Sequence, residues 1–598
     1  MTQWNPVKGQ IMTKWAEDVD STNPYPSYPR PQMKRDRWLS LNGLWNYVIT
    51  RTMDKFPTRY DDKILVPYPI ESALSGVKRP LKPREVLWYH RMLIIPPEWH
   101  EKRILLNFGA VDWNCIVYIN KHKVGSHQGG FGGFFFDITE HVSWKNPNEI
   151  FVAVQDPTNK GSQPRGKQIL KPWAAFYTAI SGIWQTIWIE PVSNLSINTI
   201  KITPIFDSDE FEITVIDTDK RSILKNELVS TPKTRVIIEV FQQGKIVQST
   251  EGETSIPIKV KISEPKYWSS ESPQLYDFRI SLVINETIED TVLSYSGLRK
   301  IEVKKDSAGI PKIFLNDEEI FQLGVLDQGY FPDGLYTAPN EEALYYDANI
   351  AKDIGLNMIR KHVKIEPAIW YHHCDKIGIL VWQDMPYAGS IIRGSISQIL
   401  FRGRWLWKTR ALRKNKEVIT QFEHELQDMV EKLNHFPSII TWVIFNEGWG
   451  QHRTIELTNK IREWDSSRLI DSVSGWVDKN VGDMRDLHKY PGPMMPELEE
   501  FRVSVNGEFG GLGLKVPGHM WKGPKYWAYQ TYKTQEELQQ EYAVLLQKVK
   551  KLKEQGLTTA IYTQISDVEQ EINGYMTYDR ILKYDKEFLQ KIHRNIIP

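Results

Sequence analysis

The sequence predicts two β-sandwich domains followed by an eight-stranded barrel of alternating strands and helices. Three observations carry this. The first half of the chain is a succession of short apolar strands separated by Asn, Gly and Pro. After Arg299 helical periods begin to alternate with short apolar strands, and two of those late strands end in a glutamate with glycine beside it. At 598 residues the chain is too long for one core, and about three domains are expected.

Residues 1–195 read as a sandwich or jelly roll, with evenly spaced strands at 103–108, 115–119 and 149–154. Residues 196–303 continue with longer alternating strands, such as 234–240, and fit one immunoglobulin-like sandwich. Residues 304–598 change grammar: helix at 341–354, strand at 357–360, helix at 367–376, strand at 380–382, then a long amphipathic helix at 416–434. Such alternation implies a parallel sheet with crossover helices, closed into a barrel.

Composition narrows the function classes. The 75 basic and 74 acidic residues balance, so the basic excess that bulk nucleic-acid binding normally shows is absent and no nucleic-acid partner is expected. The 22 Trp and 26 Tyr are an excess that suits stacking on sugar rings, although all-β domains also take up aromatics. Cys115 and Cys374 lie far apart and read as free buried thiols. No apolar run is long enough to span a bilayer, and the first residues lack the apolar core of a signal peptide. A soluble protein is expected, cytoplasmic unless a leader has been removed, in which case periplasmic; monomer and homodimer are equally open. No cofactor or metal is expected. His372, His373 and Cys374 are adjacent rather than spaced along one helical face.

The chemistry concentrates at two strand ends. Thr441-Trp442-Val443-Ile444-Phe445 runs into Asn446-Glu447-Gly448-Trp449, and Val503-Ser504-Val505 runs into Asn506-Gly507-Glu508. A carboxylate at the end of a buried strand is costly to desolvate unless something there uses it. In barrels of this kind the strand ends carry the catalytic groups. Two such glutamates are what glycoside hydrolysis needs, one to protonate the leaving oxygen and one to attack the anomeric carbon. Burial and the neighbouring Glu508 are both expected to raise the pKa of Glu447.

Over nearly its whole length the chain resembles glycoside hydrolase family 2, the β-galactosidase, β-glucuronidase and β-mannosidase family. The resemblance rests on Leu41-Asn42-Gly43-Leu44-Trp45, Trp88-Tyr89-His90-Arg91 and Ser181-Gly182-Ile183-Trp184-Gln185 in the first domain. Ser272-Pro273-Gln274-Leu275-Tyr276 carries it in the second, and Asn446-Glu447 and Glu508 in the barrel. It implies Glu447 as acid/base, Glu508 as nucleophile and Asn446 as a contact to the sugar 2-hydroxyl. Arg360 would orient the nucleophile, and His362 would line the pocket; an inner-layer ion pair and a satisfied core histidine are the alternatives. Asp327 and Asp384 stand at strand ends, the latter also readable as the start of a loop turn; Trp449 is a stacking candidate or a barrel filler; and Gln564, a candidate substrate contact, lies in the C-terminal strand 560–567, where relatives usually place a Trp. His488 and Tyr490 follow the next strand-like stretch. The reaction implied is retaining, exo-acting hydrolysis of O-glycosidic bonds in an oligosaccharide. A β-galactoside is the first expectation and a β-glucuronide the second; a carbohydrate-binding pseudoenzyme is the alternative from another class.

Between Phe401 and Lys416 lie seven cations and two Trp with no acid. On the catalytic face this segment would hold anionic sugars and point to an anionic polysaccharide; the plainer reading is a solvated basic face.

Overall fold

The computed structural model describes residues 4–161, 163–219, 234–387, 416–523 and 525–597. Most of the basic segment at 401–416 therefore lies outside the described residues.

The first sandwich packs a six-stranded antiparallel sheet on a four-stranded one. Its strands alternate cleanly: in Asn114–Ile119 the side chains of Cys115, Val117 and Ile119 are buried and those between them are half-buried. The inward set meets Trp45, Val152 and Ile189 in one core. A second sandwich of three and four strands follows, built around Phe211, Ile213, Val236, Ile238 and Phe278. Both architectures match the expectation. A small three-stranded sheet then closes the bottom of the barrel. Its Ile301, Ile313 and Leu315 pack on Met358, Leu380, Ile440 and Val503, at the first turns of the barrel strands.

The barrel strands are β1 (Gln322–Asp327), β2 (Met358–Lys361), β3 (Leu380–Asp384), β4 (Ile439–Val443), β5 (Leu469–Asp471), β6 (Met484–Lys489), β7 (Val503–Gly510) and β8 (Leu557–Thr563). They form one parallel eight-stranded sheet in the order β5-β4-β3-β2-β1-β8-β7-β6, so β1 and β8 pair and a seam remains between β5 and β6. Six α-helices surround it among the described residues: α1 (Glu341–Asp353), α2 (Ala368–Ile377), α3 (Lys416–Leu433), α4 (Thr454–Trp464), α5 (Gln535–Glu554) and α6 (Lys586–Arg594).

The β5–β6 and β6–β7 connections carry no helix, which departs from eight regular strand–helix units. Pro491, Pro493 and Pro496 account for the second, because proline removes the helical N–H and clashes with the preceding turn. Elsewhere local signals set the ends. The Asn340 side chain caps α1 by accepting from Ala343 N, Thr534 does the same for α5, and Gly378 ends α2 in the left-handed region. No helix among the described residues is long and apolar enough to cross a membrane. Cys115 and Cys374 are buried free thiols.

The first sandwich is locked on the top of the barrel. The Thr337 hydroxyl donates to the Trp184 carbonyl at 2.6 Å and lies 3.0 Å from Pro67 O, and Tyr25 donates to Ala338 O. This contact carries residues 163–178 of the sandwich onto the face formed by the C-terminal ends of the barrel strands. Arg165 N donates to Tyr387 O, and a methyl group on Gly166, whose φ is +59°, would come within 2.4 Å of Val363 O. Glycine is required by both the sign of φ and the lack of space.

Candidate active site

The C-terminal ends of the barrel strands bring Arg360, His362, Asp384, Asn446, Glu447, His488 and Glu508 into one cluster. Strand alternation decides which residues enter it. Leu326, Arg360, Trp382 and Thr441 are in register across β1 to β4; Leu326 and Trp382 belong to the barrel interior, and Arg360 points there with them. Asp327 and Lys361, one residue on, face the helices instead.

Arg360 is fully buried and joins three strand ends. It grips Asp384 with two hydrogen bonds of 3.0 Å, donates to Asn446 Oδ1 at 2.9 Å and to Gly507 O at 3.2 Å, and stands 3.6 Å from Glu508 Oε1. It therefore serves as structural ion pair and as neighbour of the nucleophile candidate at once. Burial pushes Asp384 up to about 6 even though Arg360 opposes the shift. Gly507, the residue before Glu508, donates its N–H to Asp486 Oδ1 at 2.6 Å, and a methyl there would lie 2.0 Å from that carboxylate. The glycine beside the second glutamate is thus a packing requirement.

Glu508 is buried. The Tyr490 hydroxyl donates to its Oε2 and lies 2.8 Å from Thr563 Oγ1. Its Oε1 faces His362 Nε2 at 3.6 Å, and among the described residues neither atom has a hydrogen-bond partner. Two buried polar atoms side by side can share one ligand hydroxyl between them. His362 Nδ1 meets Gln328 Oε1 at 3.0 Å, and burial, with Lys167 and Arg360, holds the ring neutral, its pKa well below the ordinary value.

Glu447 has φ +53°, a left-handed conformation that costs a non-glycine residue about 1–2 kcal/mol. Its backbone N–H donates to Ser474 O at 2.8 Å, which fixes the turn. Its Oε1 lies 3.2 Å from His488 Nδ1, and its Oε2 accepts from the Trp449 indole at 3.3 Å. Trp449 stacks on Tyr387 at 5.5 Å and meets Phe176 of the sandwich edge-on at 6.3 Å. One oxygen of Glu447, one of Glu508 and a nitrogen of His488 all lie within 4.8 Å of one another. That composition would also suit a metal ion, but the Tyr490 and Trp449 hydrogens already occupy one oxygen of each glutamate.

The expected rise in the Glu447 pKa is reversed in this arrangement. Burial does raise it, but the hydrogen bond and charge of His488, the Trp449 indole and Lys167 outweigh burial and lower it. His488 moves the other way: burial lowers it, and Glu508, Glu447 and Asp486 together raise it above its ordinary value. In the sequence Glu508 is the evident charged neighbour of Glu447; the histidine between them is brought there only by the fold.

Two of the expected residues are engaged elsewhere. Asp327 pairs with Lys361 at 2.5 Å and accepts Gly329 N at 2.7 Å on the helix side of β1. Gln564 donates to Asn573 Oδ1 at 2.8 Å, in a buried set with Glu571 and Tyr177 of the sandwich. Lys167, Tyr387, Ser474 and Asp486 escaped the sequence reading. The first lies in another domain, and the others carried no local motif.

Three family models match the chain, together over more than half of it. They are Glycosyl hydrolases family 2, sugar binding domain, at residues 52–161; Glycosyl hydrolases family 2 at 195–299; and Glycosyl hydrolases family 2, TIM barrel domain, at 336–510. A putative β-glucuronidase of Formosa agariphila is 28% identical over 367 residues, 60% of this chain and 39% of that protein. A β-galactosidase of Thermoanaerobacter pseudethanolicus is 25% identical over 449 residues, 73% of this chain and 55% of that protein. The match thus spans only about two fifths to just over half of these relatives' length. Among solved structures, a β-glucuronidase from Ruminococcus gnavus in complex with D-glucuronic acid superposes with TM-score 0.73 at 19% identity, covering 95% of this chain and 100% of that one, a likeness of fold.

Proposed function

The chain belongs to glycoside hydrolase family 2, and from that premise we propose that it is an exo-acting β-glycosidase that cleaves O-glycosidic bonds with retention. One observation carries the reading: the carboxylates of Glu447 and Glu508 approach within 4.8 Å. Retaining enzymes hold the pair at about 5–5.5 Å, whereas inverting ones need about 6.5–9.5 Å to admit water between. Glu508 attacks the anomeric carbon, and the departing oxygen takes its proton from Glu447. Water then attacks the glycosyl ester, giving its proton to Glu447 as the bond to Glu508 breaks. Tyr490 steadies the carboxylate that is released, and Asn446, held by Arg360, faces the sugar. Trp449, Tyr387 and the sandwich segment at 163–178 wall one side, which supports action at a chain end.

The sugar is either a β-galactoside or a β-glucuronide, the two names that the relatives carry. The pseudoenzyme alternative has little support in a site with both glutamates, Asn446 and Arg360 in hydrogen-bonded order. Lys167 favours an anionic substrate: its ammonium lies over the Tyr177 ring at 5.6 Å, and its charge reaches both His362 and Glu447. Aryl β-D-galactoside, glucuronide, mannoside, glucoside and xyloside, assayed side by side, distinguish these sugars. The anomer first released, read by NMR, tests the mechanism; an α product, or no turnover on any of them, would refute it.

A further inference from the structure

Behind Glu447 lies a chain of hydrogen bonds that the two-glutamate mechanism does not use. His488 Nε2 is 2.7 Å from Ser474 Oγ, and Ser474 Oγ donates to Asp486 Oδ2 at 2.5 Å. Asp486 Oδ1 accepts Gly507 N. Three strand ends supply the parts: Ser474 follows β5, Asp486 and His488 belong to β6, and Gly507 is on β7.

The direction of these bonds follows from donor arithmetic. A carboxylate only accepts, so the single Ser474 hydrogen goes to Asp486. Ser474 Oγ then has only lone pairs left for His488, and Nε2 must carry a hydrogen. In the neutral ring that leaves Nδ1 as the acceptor, aimed at Glu447 Oε1. Burial and the nearby Asp486 push Asp471 well above the usual carboxylate range.

We propose that Ser474 and Asp486 are positioning residues that lock the His488 tautomer, so that one labile proton is kept on the line between His488 Nδ1 and Glu447 Oε1 for the acid step. This rests on the reading of Glu447 as acid/base. Before attack the proton is held there by the charge of Glu508, on the nitrogen or on the oxygen. As Glu508 bonds to the anomeric carbon and the glycosidic C–O bond breaks, the proton goes to the leaving oxygen. Glu447 is left as a carboxylate facing the Nδ1 lone pair, which makes it a better base toward water. Water's proton returns to the pair as the ester bond breaks, and the balance closes.

The groups facing His488 are Glu447 beyond β4, Glu508 on β7, Arg360 on β2 at 3.5 Å, Asp486 on its own strand and, farther off, His362 and Asp384. Arg360 cannot donate to an Nε2 that already carries hydrogen. Its guanidinium is in any case engaged by Asp384, Asn446 and Gly507 O.

The test compares wild type, Ser474→Ala, Ser474→Thr, Asp486→Asn and Glu447→Ala on 2,4-dinitrophenyl and methyl β-D-galactosides, with the matching glucuronides alongside, across pH. Ser474→Ala and Asp486→Asn should lose tenfold or more in kcat/KM on the methyl glycoside and less than threefold on the dinitrophenyl one. Both should move the alkaline limb to lower pH, by about one unit, because an imidazolium without its acceptor or counter-charge loses its proton sooner. Ser474→Thr, which keeps the hydroxyl, should restore both. Equal losses on the two leaving groups, or an unmoved alkaline limb, would overturn the proposal. If Glu447→Ala discriminates between the leaving groups and Ser474→Ala does not, this inference alone falls. If Glu447→Ala does not discriminate, the acid/base reading falls and takes the inference with it.

Discussion

Replacing Glu508 by Gln keeps the shape of the side chain and removes its nucleophilic oxygen and its charge. Turnover should fall by at least three decades, about 4 kcal/mol or more of barrier, because the group that forms the ester is gone. The stability change should be small, for a reason visible in the distances. Glu508 stands 3.6 Å from Arg360, which at an effective dielectric of about 20 is an attraction of about 4–5 kcal/mol. Its approach to Glu447 within 4.8 Å is a repulsion of about 3.5 kcal/mol on the same basis. His488, 3.6 Å from the same carboxylate, offsets that repulsion; the Arg360 attraction is in turn offset by the several kcal/mol it costs to bury a carboxylate, and Arg360 keeps its bidentate partner Asp384. The melting temperature should therefore move by only a few degrees while activity vanishes. Aryl glycoside turnover and calorimetry on the same preparation measure both. Azide should revive Glu508→Gly and yield the glycosyl azide of inverted configuration. Activity of Glu508→Gln within tenfold of wild type would refute the assignment.

Glu447→Ala should slow alkyl glycosides far more than activated aryl ones, since the proton matters only when the departing oxygen is basic; equal losses would remove its role. Tyr490→Phe deletes a hydrogen bond to a charged group, worth about 1.5–3 kcal/mol, and should lower kcat roughly 10- to 100-fold with KM little changed. Lys167→Met should raise KM for an aryl glucuronide about tenfold and leave the galactoside alone; parallel changes on both would end the anionic reading. The Glu447–His488 pair should also mark the pH dependence of stability. A lowered Glu447 contributes above its unfolded pKa of about 4.3 and loses that contribution as pH falls through its folded value; a raised His488 contributes below about 6.5 and loses it as pH rises through its own. The melting-temperature difference between wild type and His488→Gln should thus be greatest between about pH 4.3 and 6.5 and shrink on both sides. A difference that stays flat from acid to alkaline pH would contradict it.

The architecture was legible in the sequence because periodicity is local. The expected helices at 341–354, 367–376 and 416–434 lie within a residue or so of α1, α2 and α3. The strand at 380–382 extends to Asp384. The glutamates were legible too, each carried by a few contiguous residues at a strand end. Local signals thus carried the sandwich–sandwich–barrel order and the two strand-end carboxylates. Tertiary structure alone decided their surroundings. Alternation along β1 turned Asp327 toward the helices and Lys361, which no motif announces. Domain docking brought Lys167 within reach of Glu447 from nearly three hundred positions earlier in the chain. The convergence of β4, β6 and β7 set His488 between the glutamates and reversed the expected shift on Glu447. A pKa sums every charge within several ångströms, and which charges those are is a property of the closed barrel, not of any stretch of the chain.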